Sequence, residues 1–306
     1  MKVVITDYQY KNIDQEKKIF SEAGIELCEY QVKAEDDVIK VVQDADAIVT
    51  QYSNISRKVI ESLAHCKMII KYGIGVNNID SAAATERCIF VCNVPDYGVD
   101  EVSNHAISFL FALTKKLPQI TEALKNGDWS YDSTVPLFRM QGQTLGLVGF
   151  GRIPQMVAQK MLGFGVRVLV FDPFVSEETM RSLGVQKAEL NTLCTESDFV
   201  SIHCPLTEET QHLFNKAMFQ KMKKSAFLIN TSRGPVVNEQ DLILALKNGD
   251  IAGAGLDVFE NEPLAASSEL LQMKNVLATP HCAWYSEESI LALQRKVAEE
   301  VVNVLQ

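Results

Sequence analysis

The chain contains 306 residues, of which 47% are hydrophobic and 22% are charged. This composition predicts a globular protein of about two domains and excludes a disordered, coiled-coil or collagen-like chain. The formal net charge of −10 offers no basic surface for phosphates, so we expect no nucleic-acid partner. No apolar run reaches the roughly 18 residues that span a bilayer, and the N-terminal apolar stretch is too short for a signal peptide, so we expect a cytoplasmic protein that does not bind membranes.

The cysteines and histidines predict neither a disulfide framework nor a metal site. The seven cysteines are an odd number, scattered along the chain without a CxxC motif, unlike the cysteines of small secreted proteins. The five histidines show no HExxH motif and no spacing typical of zinc ligands, so we expect no metal. Cys88 and Cys92 bracket the apolar run CIFVC and are predicted to be small buried residues of a strand.

Short β-branched runs alternate with helical patterns along the first hundred residues. This alternation is typical of a parallel sheet built from βαβ units. Helices are predicted in the stretches 15–23 and 57–65. Five strands are predicted, over residues 2–6, 25–29, 47–50, 68–71 and 89–92.

The stretch 101–117 predicts a long helix that links this part of the chain to the next. Its apolar residues lie nearly all round the helix, which therefore needs burial on most sides, and a second subunit could supply part of that burial. Six further strands follow, a number typical of a dinucleotide-binding domain; they are predicted over residues 145–148, 167–171, 199–202, 226–229, 252–256 and 276–278. A last amphipathic helix over 286–305 could extend that domain or cover the first one, and its periodicity leaves both possible.

A glycine-rich turn between a predicted strand and a predicted helix indicates the cofactor. Gly149 and Gly151 follow the strand 145–148, which is the context in which a dinucleotide pyrophosphate meets a helix N-terminus. Pro154 replaces the third glycine of the pattern, and proline is tolerated in a first helical turn. Asp172, 21 residues after Gly151, is predicted to accept hydrogen bonds from a ribose and to favour NAD over NADP. The alternatives are a purely structural turn at the glycines and a turn role for Asp172.

Three residues suited to acid–base chemistry follow the last three predicted strands: Arg233, Glu262 and His281. Because the carboxyl ends of parallel strands lie at one edge of a sheet, we expect these side chains near the nicotinamide. Arginine can hold the carboxylate of a 2-oxo acid, histidine can protonate its carbonyl oxygen, and a carboxylate can orient the histidine. Taken singly, each of them could equally be a surface residue.

Two further residues near this predicted edge receive roles. Asp257, at the end of a strand, is expected to reach the nicotinamide carboxamide. Trp284, three residues after His281, is a candidate wall for the substrate side chain because tryptophan offers a large apolar surface. The alternative for Trp284 is packing between domains or subunits.

The order and spacing of several motifs resemble those of the D-isomer-specific 2-hydroxyacid dehydrogenase family over essentially the whole length. The last of these motifs looks most like the carboxy-terminal-binding-protein branch of that family. The motifs are KYGIGVNNID, NVPDYGVDEV, GFGRIP, HCPLTEET, NTSRGPVVNEQDL, GLDVFENEP and TPHCAWYSEES.

This resemblance implies an α/β fold of two doubly wound parallel-sheet domains and a homodimer. A Rossmann-type NAD-binding domain over residues 99–283 would be inserted into a flavodoxin-like substrate-binding domain formed by 1–98 and 284–306. The resemblance makes Arg233, Glu262 and His281 the catalytic residues, and it places Lys71 and the backbone of Gly73, Ile74 and Gly75 against the substrate carboxylate. The cofactor contacts that it implies, besides Gly149 and Gly151, are Arg152, Ile153, Asp172, Cys204, Pro205, Thr210, Thr231, Ser232 and Asp257.

The sequence departs from the family pattern at Pro154, at Lys71, where arginine is frequent, and at Asn104, where an acidic residue is usual. The expected function is an NAD-dependent oxidoreductase that interconverts a small D-2-hydroxy acid and its 2-oxo acid. The alternative is an NAD(H)-gated scaffold, because the branch that the sequence resembles includes transcriptional co-repressors. A formate dehydrogenase is disfavoured, since that relative pairs its histidine with glutamine.

Overall fold

The computed structural model describes all residues from Met1 to Gln306 and divides the chain into two compact units. Unit 1 comprises Met1–Gly98 and Tyr285–Gln306, and unit 2 comprises Val99–Trp284. Trp284, which the sequence assigned to the returning segment, therefore groups with unit 2. No helix of either unit has both the length and the apolar character needed to cross a membrane.

The N-terminal part of unit 1 is a five-stranded parallel sheet with strand order β2-β1-β3-β4-β5. This is the flavodoxin-like order, in which the chain reverses its direction of growth between β1 and β3. The predicted strands agree with the observed ones to within one residue at each end. The elements are β1 (Lys2–Ile5), α1 (Asp14–Glu22), β2 (Glu26–Glu29), α2 (Glu35–Val42), β3 (Ala47–Thr50), α3 (Arg57–Glu61), β4 (Met68–Lys71), α4 (Ser81–Glu86) and β5 (Phe90–Cys92).

Two local predictions for unit 1 are wrong. Helix α3 ends at Glu61 and not at 65, because the Ala64 N–H donates to the Gln43 carbonyl at 2.9 Å and does not continue the helical pattern. The Arg87 guanidinium donates to carbonyl groups at this end, including that of Leu63 at 2.7 Å. Cys88 is exposed and has a left-handed backbone with φ of 56°, so it belongs to the turn before β5. Cys92 is only partly buried.

The reversal point of the unit 1 sheet is held by a buried carboxylate. Asp7, directly after β1, is 2% exposed and accepts the backbone N–H groups of Gln51, Tyr52 and Ser53 at 3.1, 2.6 and 3.1 Å. Burial raises the pKa of Asp7, but the hydrogen bonds from Ser53 and its neighbours outweigh burial, so this pKa lies below its ordinary value. An ionised carboxylate therefore joins the loops that follow β1 and β3.

Unit 2 contains a seven-stranded parallel sheet with order β12-β11-β10-β9-β6-β7-β8, the dinucleotide-binding order with one strand added at an edge. Six strands were predicted; the missed one, β8, is a two-residue polar edge strand paired with β7. The elements are α5 (Val99–Thr114), α6 (Leu117–Lys125), β6 (Thr144–Val148), α7 (Arg152–Leu162), β7 (Arg167–Phe171), α8 (Glu177–Ser182), β8 (Gln186–Lys187), α9 (Leu190–Glu196), β9 (Phe199–Ile202), α10 (Lys216–Phe219), β10 (Phe227–Asn230), α11 (Glu239–Asn248), β11 (Gly253–Leu256) and β12 (Val276–Ala278).

The last helix, α12 (Glu287–Leu305), belongs to unit 1, which resolves the choice that periodicity left open. It begins with a capping box between Ser286 and Ser289 and packs against α1 and β4. The amide of Gln294 donates to the Asn12 carbonyl at 2.7 Å. The apolar stripe of this amphipathic helix thus completes the core of unit 1.

Candidate functional site

The glycine turn after β6 has the geometry that a dinucleotide needs. Gly149 has φ of +91°, and a Cβ there would lie 2.9 Å from the Cys204 nitrogen, so only glycine fits. A Cβ at Gly151 would meet nothing within 4 Å, which leaves open space beside its backbone. Helix α7 follows with no side-chain cap at its N-terminus, so the N–H groups of Arg152 and Ile153 face the position of an anion.

Asp172 ties this turn to the end of β7. Its Oδ2 accepts the Phe150 N–H at 2.8 Å, and its Oδ1 accepts the N–H groups of Phe174 and Val175 at 2.8 and 3.1 Å. The turn role that sequence reasoning gave as the alternative is therefore present. It does not exclude the ribose role, because Oδ2 accepts only the Phe150 N–H and can accept a second hydrogen bond.

The loops after β9 and β10 carry the remaining predicted cofactor residues. The Thr210 hydroxyl donates to the Pro205 carbonyl at 2.6 Å and closes the loop that follows Cys204. The Ser232 hydroxyl lies 3.0 Å from Asn230 Oδ1. The Thr231 hydroxyl is buried without a hydrogen-bond partner, as expected of a group that meets a ligand. These residues fit a bound NAD.

The three residues expected to carry the chemistry lie in loops after neighbouring strands of one sheet. Arg233 follows β10, Glu262 lies in the loop after β11, and His281 follows β12; β10, β11 and β12 are adjacent in the sheet. The backbone N–H of His281 donates to the Asp257 carbonyl at 2.8 Å, and its φ is 52°. A left-handed backbone is uncommon for histidine and indicates a residue held by its surroundings.

His281 and Glu262 form a direct pair. His281 Nδ1 lies 2.7 Å from Glu262 Oε2, and both side chains are 36% exposed. The other carboxylate oxygen accepts the Phe259 N–H at 3.0 Å. Burial raises the pKa of Glu262, but the hydrogen bond and charge of His281 outweigh burial, so this pKa lies below its ordinary value. An ionised carboxylate only accepts hydrogen bonds, so Nδ1 is the donor and Nε2 is the ring atom left for proton exchange.

Asp257 organises the loop that carries His281. Its side chain is 2% exposed; Oδ1 accepts the Thr279 hydroxyl at 2.5 Å and the Cys282 N–H at 2.9 Å, and Oδ2 accepts the Ala283 N–H at 2.9 Å. His105 Nε2 of α5 lies 2.9 Å from the Thr279 hydroxyl. Sequence reasoning missed this network, although Thr279 lies in the motif TPHCAWYSEES and His105 lies in the helix predicted over 101–117. The nicotinamide contact of Asp257 stays a prediction.

Trp284 is anchored to the same loop. Its indole Nε1 donates to the His281 carbonyl at 2.9 Å, and the side chain is partly exposed. The indole therefore supports the backbone of His281. Its contact with a substrate side chain stays a prediction.

The residues expected to face the substrate carboxylate from unit 1 lie together at the end of β4 and in the loop that follows it. Lys71 Nζ hydrogen-bonds to the Gln51 carbonyl and lies 5.6 Å from the centre of the Tyr52 ring. Gly73 has φ of +142°, and the Ile74 carbonyl accepts a hydrogen bond from the Asn93 side chain at 2.6 Å. Gly75 is partly buried in the same loop.

At the carboxyl edge of one parallel sheet, unit 2 therefore combines a dinucleotide turn, the buried Thr231 hydroxyl without a hydrogen-bond partner and a histidine–carboxylate pair. This is the arrangement of a nicotinamide-dependent oxidoreductase. The family profile described as D-isomer specific 2-hydroxyacid dehydrogenase, NAD binding domain, matches residues 107–283. The chain belongs to this family. The predicted family, fold class and NAD cofactor are confirmed.

Named relatives place the chain among reductases and dehydrogenases. It is 38% identical to a glyoxylate reductase of Korarchaeum cryptofilum over 87% of this chain and 81% of that protein. It is 36% identical to a D-3-phosphoglycerate dehydrogenase of Methanocaldococcus jannaschii, of which it covers 57%. The D-lactate dehydrogenase of Aquifex aeolicus, solved with NAD and lactic acid, superimposes with a TM-score of 0.88 at 28% identity, over 98% of this chain and 94% of that one. The carboxy-terminal-binding-protein branch stays a prediction.

Proposed function

We propose that the protein reduces a small 2-oxo acid to the D-2-hydroxy acid, and catalyses the reverse oxidation, with His281, Glu262 and Arg233 as its catalytic residues. The observation that carries the proposal is the 2.7 Å contact between His281 Nδ1 and Glu262 Oε2. It fixes the imidazole by one nitrogen and leaves the other for the substrate. Bound NADH supplies the hydride that the carbonyl carbon receives.

The proton step belongs to His281. Its imidazolium donates the Nε2 proton to the carbonyl oxygen as negative charge develops there, and the neutral ring takes the proton back during oxidation. Glu262 stabilises the charged ring and holds its orientation, since its own low pKa keeps it ionised.

Arg233 is proposed to hold the substrate carboxylate through its planar guanidinium, which can donate two parallel hydrogen bonds. One of its nitrogens, Nη1, already donates to the Ser232 carbonyl at 2.6 Å, which restrains the side chain. Lys71 and the backbone of Gly73, Ile74 and Gly75 are the contacts that the family resemblance adds for the same carboxylate. Lysine provides a point charge there, whereas arginine would provide a planar group that donates two parallel hydrogen bonds.

The relatives favour short substrates. The chain covers 81% and 82% of the glyoxylate reductases of Korarchaeum cryptofilum and Thermococcus litoralis, but only 57% and 53% of two archaeal D-3-phosphoglycerate dehydrogenases. We therefore propose glyoxylate and other short 2-oxo acids as the substrate class. The 3-phosphorylated 2-oxo acid is the comparison compound.

The test is a panel of 2-oxo acids, including glyoxylate, pyruvate and 3-phosphohydroxypyruvate, with NADH oxidation followed by absorbance. We expect turnover of at least one short acid, and His281→Asn should lower kcat by about 10²–10⁴-fold with unchanged NADH affinity, because it removes the proton donor. Tight NADH binding without turnover of any acid would refute the enzyme and favour the NAD(H)-gated scaffold. Turnover by His281→Asn at the parent rate would remove His281 from the mechanism.

We also propose that the protein is a homodimer. The segment after α6 exposes an apolar surface that includes Trp129, Tyr131 and Phe138, which are 91%, 72% and 59% exposed. Exposed apolar surface on this scale is typical of protein interfaces. The sequence suggested that helix α5 contacts a second subunit, but α5 buries most of its apolar residues within the chain. The proposed homodimer therefore rests on the exposed segment after α6.

Sedimentation equilibrium at micromolar concentration tests the homodimer. We expect the parent chain to have twice the mass of 34.1 kDa and the double variant Trp129→Asp, Phe138→Asp to be monomeric. Phe174→Asp changes another exposed aromatic residue, 95% exposed and outside the segment, and should leave the mass unchanged. A monomeric parent chain would refute the proposal.

A further inference from the structure

The carboxylate of Glu260, two residues before Glu262 in the sequence, is fixed by groups from other parts of unit 2. Its Oε1 lies 2.8 Å from His212 Nε2 and accepts the Glu239 N–H at 3.2 Å. In return, the N–H of Glu260 donates to Glu239 Oε2 at 3.2 Å. We call His212, Glu239 and Glu260 the Glu260 clamp. None of the three belongs to the catalytic or cofactor residues described above.

The peptide between Phe259 and Glu260 is also contacted by the turn that follows Arg233. A Cβ at Gly234 would lie 1.9 Å from the carbonyl carbon of Phe259, so the two backbones are in direct contact and only glycine fits. The clamp is joined to the same turn, because the His212 N–H donates to the Pro235 carbonyl at 2.8 Å. The peptide is therefore contacted by the turn after Arg233 as well as by the clamp.

This peptide leads directly to the acid–base pair. Phe259 is 6% exposed, and its N–H donates to Glu262 Oε1 at 3.0 Å. Glu262 Oε2 then meets His281 Nδ1 at 2.7 Å. The Phe259 N–H lies in the preceding peptide and is joined to the Phe259–Glu260 peptide through the Phe259 Cα, so a displacement of Phe259 would move the donor that sets the orientation of the Glu262 carboxylate.

The clamp brings two carboxyl groups together, which is unfavourable without a cation. Burial raises the pKa of Glu239, the hydrogen bond from the Glu260 N–H opposes this, and the charge of Glu260 raises it further. His212 Nε2 is a hydrogen-bonding partner of Glu260. Its backbone is left-handed, with φ of 51°, so this side chain too is held at some conformational cost.

We propose that His212, Glu239 and Glu260 are positioning residues for Glu262, which they act upon by fixing the peptide between Phe259 and Glu260. This inference rests on the proposed function, because it assumes that Glu262 orients His281. The clamp does not touch the substrate or the cofactor in this account; it determines how well the carboxylate is aligned with the imidazole.

The first experiment compares Glu260→Ala with Glu260→Gln. Since displacements of about 1 Å can cost 10²-fold in rate, we expect Glu260→Ala to lower kcat/KM for 2-oxo acid reduction by about 10–100-fold, mostly in kcat. Glu260→Gln keeps an acceptor oxygen and should retain activity within about threefold of the parent. The NADH affinity of both variants should be unchanged. Unaltered activity of Glu260→Ala, or an equal loss in Glu260→Gln, would refute the proposal.

A matched control removes another half-exposed carboxylate of unit 2. Glu196 pairs with Arg167 at 2.5 Å at the start of β7, which lies at the amino edge of the sheet, away from the loops of the site. Glu196→Ala should leave kcat/KM unchanged. If Glu260→Ala fails to fold in urea-unfolding and NADH-binding measurements, His212→Asn takes its place, because asparagine tolerates a left-handed backbone and is too short to reach Glu260.

The second experiment distinguishes positioning from general structural support. In a Glu262→Gln background, Glu260→Ala should cost less than about twofold, since residues that act through one another are not additive. A full 10–100-fold further loss in that background would refute the proposal, because independent effects multiply. If Glu262→Gln alone left activity unchanged, the proposed function itself would fail; if Glu262→Gln were costly while Glu260→Ala had no effect, only the clamp would fail.

Discussion

Replacing Glu262 with glutamine tests the acid–base pair with the least change in shape. Glu262 uses one oxygen for His281 and the other for the Phe259 N–H. An amide has one accepting oxygen and one donating nitrogen, so it can keep only one of these two hydrogen bonds. In either orientation it also removes the negative charge that stabilises the imidazolium of His281.

The size of the effect follows from the lost contact. A hydrogen bond between charged groups contributes about 1.5–3 kcal/mol, and about 1.4 kcal/mol corresponds to a factor of ten, so the imidazolium should become about 10–150-fold less favoured. Reduction requires this protonated form. At high pH, kcat/KM for reduction should therefore fall by about 10–150-fold. At lower pH the loss should shrink, because the solvent then protonates the ring without help from Glu262.

The assay is NADH oxidation with the best 2-oxo acid across a series of pH values, together with an NADH titration at each pH. Glu196→Gln serves as the control, since its carboxylate pairs with Arg167 outside the site. A loss of the same size at every pH would mean that Glu262 supports the loop and does not stabilise the charged imidazole. No loss at any pH would remove Glu262 from the mechanism altogether.

Three further substitutions test the cofactor turn, the tryptophan and the buried carboxylate of unit 1. Asp172→Ser should weaken NADH binding and ease NADPH binding, because it removes ribose acceptors and the repulsion of a 2′-phosphate; an unchanged ratio of the two dissociation constants would leave Asp172 with its turn role only. Trp284→Ala should lower kcat/KM for bulky 2-oxo acids by roughly 10–200-fold more than for glyoxylate, the range that an apolar pocket contact gives, whereas an equal loss for all acids would assign the indole to the support of His281. Asp7→Asn should lower the free energy of unfolding by about 1–3 kcal/mol at pH 7, because an amide nitrogen then faces one of the backbone N–H groups. Since the pKa of Asp7 is lowered by folding, this difference should be complete above pH 4 and diminish as the pH falls below the ordinary value of 3.8; equal unfolding curves at pH 7 would contradict it.

The strands were predictable because buried parallel strands are continuous apolar runs between turn residues. The predictions for 68–71 and 199–202 coincide with β4 and β9, whose burial is nearly complete. Strand β8 could not be predicted because both of its residues are exposed and polar. It is a strand only because it pairs with β7. The predicted end of α3 is wrong because the partners of this segment, the Gln43 carbonyl and the Arg87 guanidinium, come from other parts of the sequence.

The residues proposed to be catalytic could be grouped from the sequence for a related reason. Parallel strands present their carboxyl ends at one edge, so residues that follow adjacent strands meet whatever their separation in sequence. This rule brought Glu262 and His281 together, and the structure places them 2.7 Å apart. It could not show what Asp257 does, because two of the three groups that donate to its carboxylate are the backbone N–H groups of Cys282 and Ala283. Backbone donors cannot be recognised from the side chains in the sequence.

Glu260 and Glu262 show most clearly where sequence reasoning stops. Both are acidic residues of the single motif GLDVFENEP, and spacing alone gives either of them an equal claim to the histidine. The fold separates them, because His212 and Glu239 hold one carboxylate while His281 takes the other. Their partners come from loops and helices far apart in the chain, so the assignment depends on tertiary contacts. A residue next to a catalytic one can thus be essential for alignment without ever meeting the substrate, and only measurements in paired variants can tell the two roles apart.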